Sequence, residues 1–141
     1  MSYVVQSDLE VACGGSARLV QLTDLDGAGA LDADAMNAAI AAAEGWIDGY
    51  LRARFKTPIA APSATLKLAV ADEAIYQLRR RRSMLTEQDV ADKTARDSWA
   101  RDVAAGKVRP DEPAPATSTA VRASFRASTR DVSRKTLKGA W

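Results

Sequence analysis

The chain has 141 residues, 47% of them hydrophobic and 27% charged, with a formal net charge of +2. That is one domain's worth of chain, with enough apolar residues to bury a core. Histidine is absent and Cys13 is the single cysteine, which removes the commonest general base, the Ser-His and Cys-His nucleophile pairs, an intramolecular disulfide and any Cys-rich zinc site. The expectation is a binding or structural protein, not an enzyme, with no cofactor.

The opening Met1-Ser2-Tyr3-Val4-Val5-Gln6 has neither the basic nor the apolar region of a signal peptide. No run approaches the roughly 18 apolar residues of a spanning helix, so a soluble chain made in a cytoplasm is expected. Ser7-Asp8-Leu9-Glu10 has the capping-box spacing. It predicts a short helix over residues 8–13 that Gly14-Gly15 terminates. Ser16 is placed to cap a second short helix through Leu22, and residues 23–29 have turn chemistry.

Asp32 or Asp34 opens the first long helix, with Met36, Ile40, Ala43, Ile47, Tyr50 or Leu51, and Arg54 on one face. Gly45 and Gly49, four apart beside Trp46, read as a close-packing stripe, with simple tolerance as the alternative. Pro58 and Pro62 bracket the exit loop. Ser63 caps the next helix, over residues 64–82. Its two apolar faces, Leu68/Ala71/Ile75/Leu78 and Leu66/Val70/Ala74, mark it as central. Thr86-Glu87-Gln88-Asp89 opens the last helix, Ala91/Ala95/Trp99/Val103 form its expected inner stripe, and Gly106 closes it. The predicted fold class is therefore mainly α. It is a small bundle of two short N-terminal and three longer helices over residues 1–109, with an extended C-terminal arm.

Residues 110–119 hold three prolines and read as a linker. Residues 120–141 combine apolar anchors with cations. Val121, Phe125, Leu137 and Trp141 sit among Arg122, Arg126, Arg130 and Arg134, which recur every four residues. These eight are the candidate partner-binding residues of a docking arm, because interface energy concentrates in aromatics and arginine. A basic arm for nucleic acid and a solubilising tail are the other readings.

Charge is divided unevenly along the chain. Residues 1–78 carry 5 basic and 10 acidic side chains, and residues 79–141 carry 15 and 8. Such a chain can meet copies of itself or an acidic partner. The Arg79–Arg82 run reads either as a phosphate contact or as a solvated helix end beside an acidic neighbour. Asp24, Asp26 and Asp32 with Gly29 fall on calcium-loop positions 1, 3, 9 and 6. Ala28 and Ala35 occupy positions that require ligands, so the segment reads as a turn capping the long helix, with no metal. Gly14-Gly15-Ser16 lacks the following residues of a phosphate loop, and Glu44 with Asp48 reads as surface.

Several stretches in order carry a family resemblance. Residues 3–10 (Tyr3-Val4-Val5-Gln6-Ser7-Asp8-Leu9-Glu10), the run from Gln21 to Asp32, Ile47-Asp48-Gly49-Tyr50-Leu51-Arg52-Ala53-Arg54-Phe55 with Pro58, Ala104-Ala105-Gly106-Lys107-Val108, and residues 133–139 are similar to the neck proteins of Mu-like phages and prophages. The resemblance implies a head–tail connector, or adaptor, of a long-tailed phage. It implies a homo-oligomeric ring, commonly twelve-fold, under the portal protein. The ring would extend the channel for genomic double-stranded DNA, without sequence-specific binding, and join the head to the next neck or tail component. It further implies a virion location at the neck and no membrane partner. With that resemblance, the arm is expected to reach the portal or a neighbouring subunit, adding a strand around residues 120–126.

Overall fold

The computed structural model describes residues 2–110. Within them lie five helices: α1 (Gln6–Cys13), α2 (Ser16–Thr23), α3 (Ala33–Leu51), α4 (Ala64–Arg81) and α5 (Glu87–Ala104). The mainly α bundle of two short and three longer helices is as expected. The linker from residue 111 onward and all eight candidate arm residues lie outside the described residues.

The caps explain most of the boundaries. The carboxylates and hydroxyls of Asp32, Ser63 and Thr86 accept from the backbone N–H groups of Ala35, Leu66 and Asp89, three residues on in each case. Each satisfies a donor that a first helical turn leaves unpaired. Helix α5 has the full box, since Asp89 accepts in return from the Thr86 N–H at 2.9 Å.

Helix α1 departs from the predicted Ser7 cap by starting two residues earlier. Val5 stands at its N-cap, and Asp8 Oδ2 accepts from the Val5 N–H at 2.9 Å. The acidic residue three positions after the cap thus sets the start. Gly14, at φ 97°, terminates α1 with its N–H on the Glu10 carbonyl, a left-handed conformation that favours glycine. Ser16 is the first residue of α2, not its cap.

Helix α4 is central and touches every other helix, most extensively α3. Leu66, Val70, Ala71, Ala74, Ile75 and Leu78 of α4 meet Met36, Ile40, Ala43, Ile47 and Leu51 of α3 in the core, with Leu9 and Leu19 from the short helices. Burial of this order, ~1.5–3 kcal/mol per large aliphatic side chain, is what offsets the chain entropy of so small a domain. Leu68, expected in that core, is 57% exposed. Gly45 and Gly49 also differ from expectation, because a Cβ at either position would meet nothing within 4 Å. They lie on the outer face of α3, and no neighbour within the described chain requires a glycine there.

Tyr3 fastens the N-terminal segment. It is 4% exposed, and its hydroxyl donates to Asp48 Oδ1 at 2.6 Å and accepts from the Ile59 N–H at 3.0 Å. Its own N–H donates to Glu44 Oε1 at 2.6 Å. Glu44 and Asp48 are therefore half-buried tethers, not free surface as expected. Burial and the Asp48 hydrogen bond push the Tyr3 phenol up to about 12. The Thr57–Pro58 peptide in the same α3–α4 loop is cis.

Candidate interaction surface on the α4–α5 seam

Helix α5 packs inward through Ala100 and Val103 in its C-terminal half and through charged side chains in its N-terminal half. Ala91 and Ala95, expected inside, are exposed, while Lys93, Arg96, Asp97, Ala100 and Val103 are wholly or partly buried. The reason stands opposite on α4. Glu73 is fully buried, and its carboxylate accepts from Lys93 Nζ at 2.8 Å, Arg96 Nη2 at 3.3 Å and Gln77 Nε2 at 2.9 Å. Lys93 also pairs with Asp97 at 3.0 Å and lies 4.7 Å from the Trp46 ring centroid. The Trp46 indole N–H donates to Asp97 Oδ1 at 2.9 Å. One ionic node thus joins α3, α4 and α5. A buried carboxylate is tolerable only with such partners, so the three helices are held in one register.

Arg79 and Arg82 are likewise engaged inside the domain. Arg79 pairs with Asp89 Oδ1 at 2.5 Å. Burial works against ionisation of Asp89, but hydrogen bonds from the Thr86 N–H and hydroxyl and from Arg79 outweigh it and hold the carboxyl below its usual range. Arg82 donates to the Gln21 carbonyl and, at 2.8 Å, to the Asp24 carbonyl, neutralising the end of α2 as a cation at a helix C-terminus does. Only Arg80 and Arg81 of the run are exposed, so the four do not act as one phosphate-binding patch. In the Asp24 turn, that carboxylate accepts from the Ala28 and Gly29 N–H groups at 2.9 and 2.7 Å. Those two bonds hold it below the ordinary carboxylate range. Its oxygens close the turn ahead of α3, as the turn reading expected. Among the described residues no three His, Cys, Asp or Glu side chains are grouped to hold a metal ion, and no helix is long and apolar enough to cross a membrane.

Between α4 and α5 the surface opens into two concavities of about 390 Å³ and 280 Å³. The larger is lined by Asp72, Tyr76, Asp92 and the Arg79–Asp89 pair, and the smaller by Leu68, Ala69 and Trp99. Of these lining residues only Arg79, within the Arg79–Arg82 run, was singled out from the sequence as a possible contact. The available signal was a glutamate at position 73, within the Leu66/Val70/Ala74 apolar face. It forces a cationic partner onto the opposing helix.

The fold and its open seam define a class, the small all-helical domains that present side chains along exposed helix faces. The sequence supplies the particular family. Residues 3–128 match the family described as Bacteriophage Mu, Gp36, and the chain belongs to that family of phage structural and morphogenesis proteins. No curated protein matches the chain.

Proposed function

We propose that the protein is a head–tail connector of a long-tailed phage. In this reading it is a structural subunit without catalysis, whose copies form a ring, twelve-membered on the family resemblance, beneath the portal. The ring extends the DNA channel and joins the head to the next neck or tail component. The observation that carries this reading is the family match over residues 3–128.

The distribution of charge supports it. Residues 1–110 sum to −1 and residues 111–141 to +3, so the bundle is close to neutral and the cationic excess lies on the C-terminal segment. Copies of such a chain placed head to tail make heterologous contacts, which close into rings when the rotation permits. Val121, Phe125, Leu137 and Trp141, with Arg122, Arg126, Arg130 and Arg134, are the proposed anchors on the portal or a neighbouring copy.

Cryo-electron microscopy of intact particles tests this. The expected density is a helical ring between portal and tail into which α1–α5 fit. Necks without this chain would remove the reading. The four-residue spacing of the arginines favours one other reading, a small nucleic-acid-binding protein. It requires the free chain to bind duplex DNA with a steep salt dependence, and a flat dependence or no binding eliminates it.

A further inference from the structure

Asp72, Ala95 and Arg96 line both concavities on the α4–α5 seam, so the two form one continuous trough. Its ends differ in chemistry. At one end Leu68, 57% exposed, faces open space beside Trp99. Toward the other, Arg79 is taken by Asp89 and Arg96 by Glu73. Asp72 and Asp92 then stand without an ion-pair partner among the described residues. Desolvation raises the Asp72 carboxyl above its ordinary value, Arg96 and Arg79 pull it down, and the nearby Asp92 pushes it up. A segment that fills this trough needs a large apolar side chain next to cations.

The chain itself carries such a segment within reach. The described residues end at Pro110, six positions past the end of α5, and the C-terminal half of α5 holds Trp99. Residues 110–119 span about 30 Å at ~3.1 Å per residue for a Pro-rich linker. The trough runs from Leu68 to Arg79, about 16 Å at ~1.5 Å per helical residue. Beyond the linker come Val121-Arg122, Phe125-Arg126 and Arg130, apolar residues beside cations, and residues 120–141 hold six basic side chains against one acid.

We propose that in the free protein residues 120–130 dock in the α4–α5 trough of their own chain. Phe125 lies against Leu68 and Trp99, and Arg126 and Arg130 stand opposite Asp72 and Asp92. Tethering supplies an effective concentration in the millimolar range, so modest contacts suffice. An assembly partner that takes the arm then has to displace it from this trough. The inference concerns the unassembled chain and stands or falls apart from the neck reading.

The test uses the full chain with Cys13→Ala. One variant adds Ala95→Cys and Ser124→Cys. The control adds Ala41→Cys, an exposed α3 position outside the trough, and Ser124→Cys. On oxidation with diamide, the trough pair is expected to close an intrachain disulfide at least tenfold faster than the control. Adding Asp92→Lys is expected to bring its rate down to the control's. Equal rates for the two pairs, or disulfides only between chains, overturn the proposal. A second measurement needs no cysteine. Amide exchange over residues 120–130 is expected to be at least fivefold slower in the unmodified chain than in Asp92→Lys, and identical exchange overturns the proposal as well.

Discussion

Replacing Glu73 with alanine is the most exacting test of how the three long helices are held together. Glu73 is fully buried, and the Lys93 and Arg96 side chains that face it are 19% and 14% exposed. Removing one member of a buried ion pair costs ~3–5 kcal/mol, because the remaining charge is left desolvated and uncompensated. Lys93 keeps Asp97 at 3.0 Å, which places the loss at the lower end, about 3 kcal/mol. Unfolding entropy of ~2.1 cal/mol/K per residue, over a domain of roughly 110 residues, converts this to a drop of about 13 °C in melting temperature. Thermal and urea unfolding followed by circular dichroism at 222 nm measure it. A drop below about 3 °C would refute the reasoning, since it would mean that water or rearrangement satisfies both cations without cost. A second variant isolates the cause. Glu73→Leu with Lys93→Met and Arg96→Leu removes the charges together, and its stability is expected to return to within about 2 kcal/mol of the parent.

Tyr3→Phe leaves Asp48 and the Ile59 N–H without their shared partner, and is expected to cost about 1.5–3 kcal/mol in urea titrations. The same phenol gives an alkaline signature. Its folded value of about 12 lies above the unfolded one, so its contribution is complete below pH ~10. That contribution is lost as pH rises to 12, and Tyr3→Phe should flatten that fall. Asp89→Ala removes a capping carboxylate and the Arg79 pair, for about 1–2 kcal/mol at neutral pH. The folded Asp89 carboxyl is depressed, so its contribution is present above the unfolded value and disappears as pH falls through the folded one. Parent and variant should therefore converge in melting temperature at acid pH, once the folded Asp89 carboxyl is protonated. Gly45→Ala, in a helix with open space around the site, is expected to raise stability by ~0.5–1 kcal/mol. Gly106→Ala is expected to lower it by about 1 kcal/mol, since φ is 76° and the new Cβ would land on the Arg54 guanidinium.

The helices were legible because their ends carry chemistry. Asp32, Ser63 and Thr86 are side-chain caps with acceptors at the right spacing, and the Met36/Ile40/Ala43/Ile47 stripe repeats at the helical period. Three features were not legible. The start of α1 depends on Asp8 rather than Ser7, and two overlapping acidic patterns satisfy the same spacing rule. The inner face of α5 is charged in its N-terminal half, so the hydrophobic periodicity that placed Trp99 and Val103 correctly also pointed to Ala91 and Ala95, which face water. The correct face is set by Glu73, eighteen or more residues earlier in the chain, and no local window contains that information. Gly45 and Gly49 have the spacing of a close-packing motif, but only the positions of the neighbouring helices reveal that they point outward.

The same logic bears on what the domain can offer a partner. The division of the sequence into an acidic first part and a basic second part suggests two oppositely charged faces, but folding cancels much of it. Arg79 returns to Asp89, Arg82 to the carbonyls at the end of α2, and Lys93 and Arg96 to Glu73. These cations are held at fixed positions by partners within the domain, so moving them to an external phosphate or carboxylate would cost the contacts that tie α5 to α4 or, for Arg82, close the end of α2. Strongly electrostatic attachment is therefore expected to draw on residues 111–141, where six basic residues meet three acidic ones, and on the exposed Arg80 and Arg81. Deleting residues 114–141 should leave the melting temperature of the bundle within a few degrees of the parent, because the core and ionic node lie before residue 110. On the proposed connector role, attachment to portals, followed by co-sedimentation, should be lost. Retention of attachment by the truncated chain would place the contact on the bundle itself, where Arg80, Arg81 and the α4–α5 trough would be the first positions to mutate.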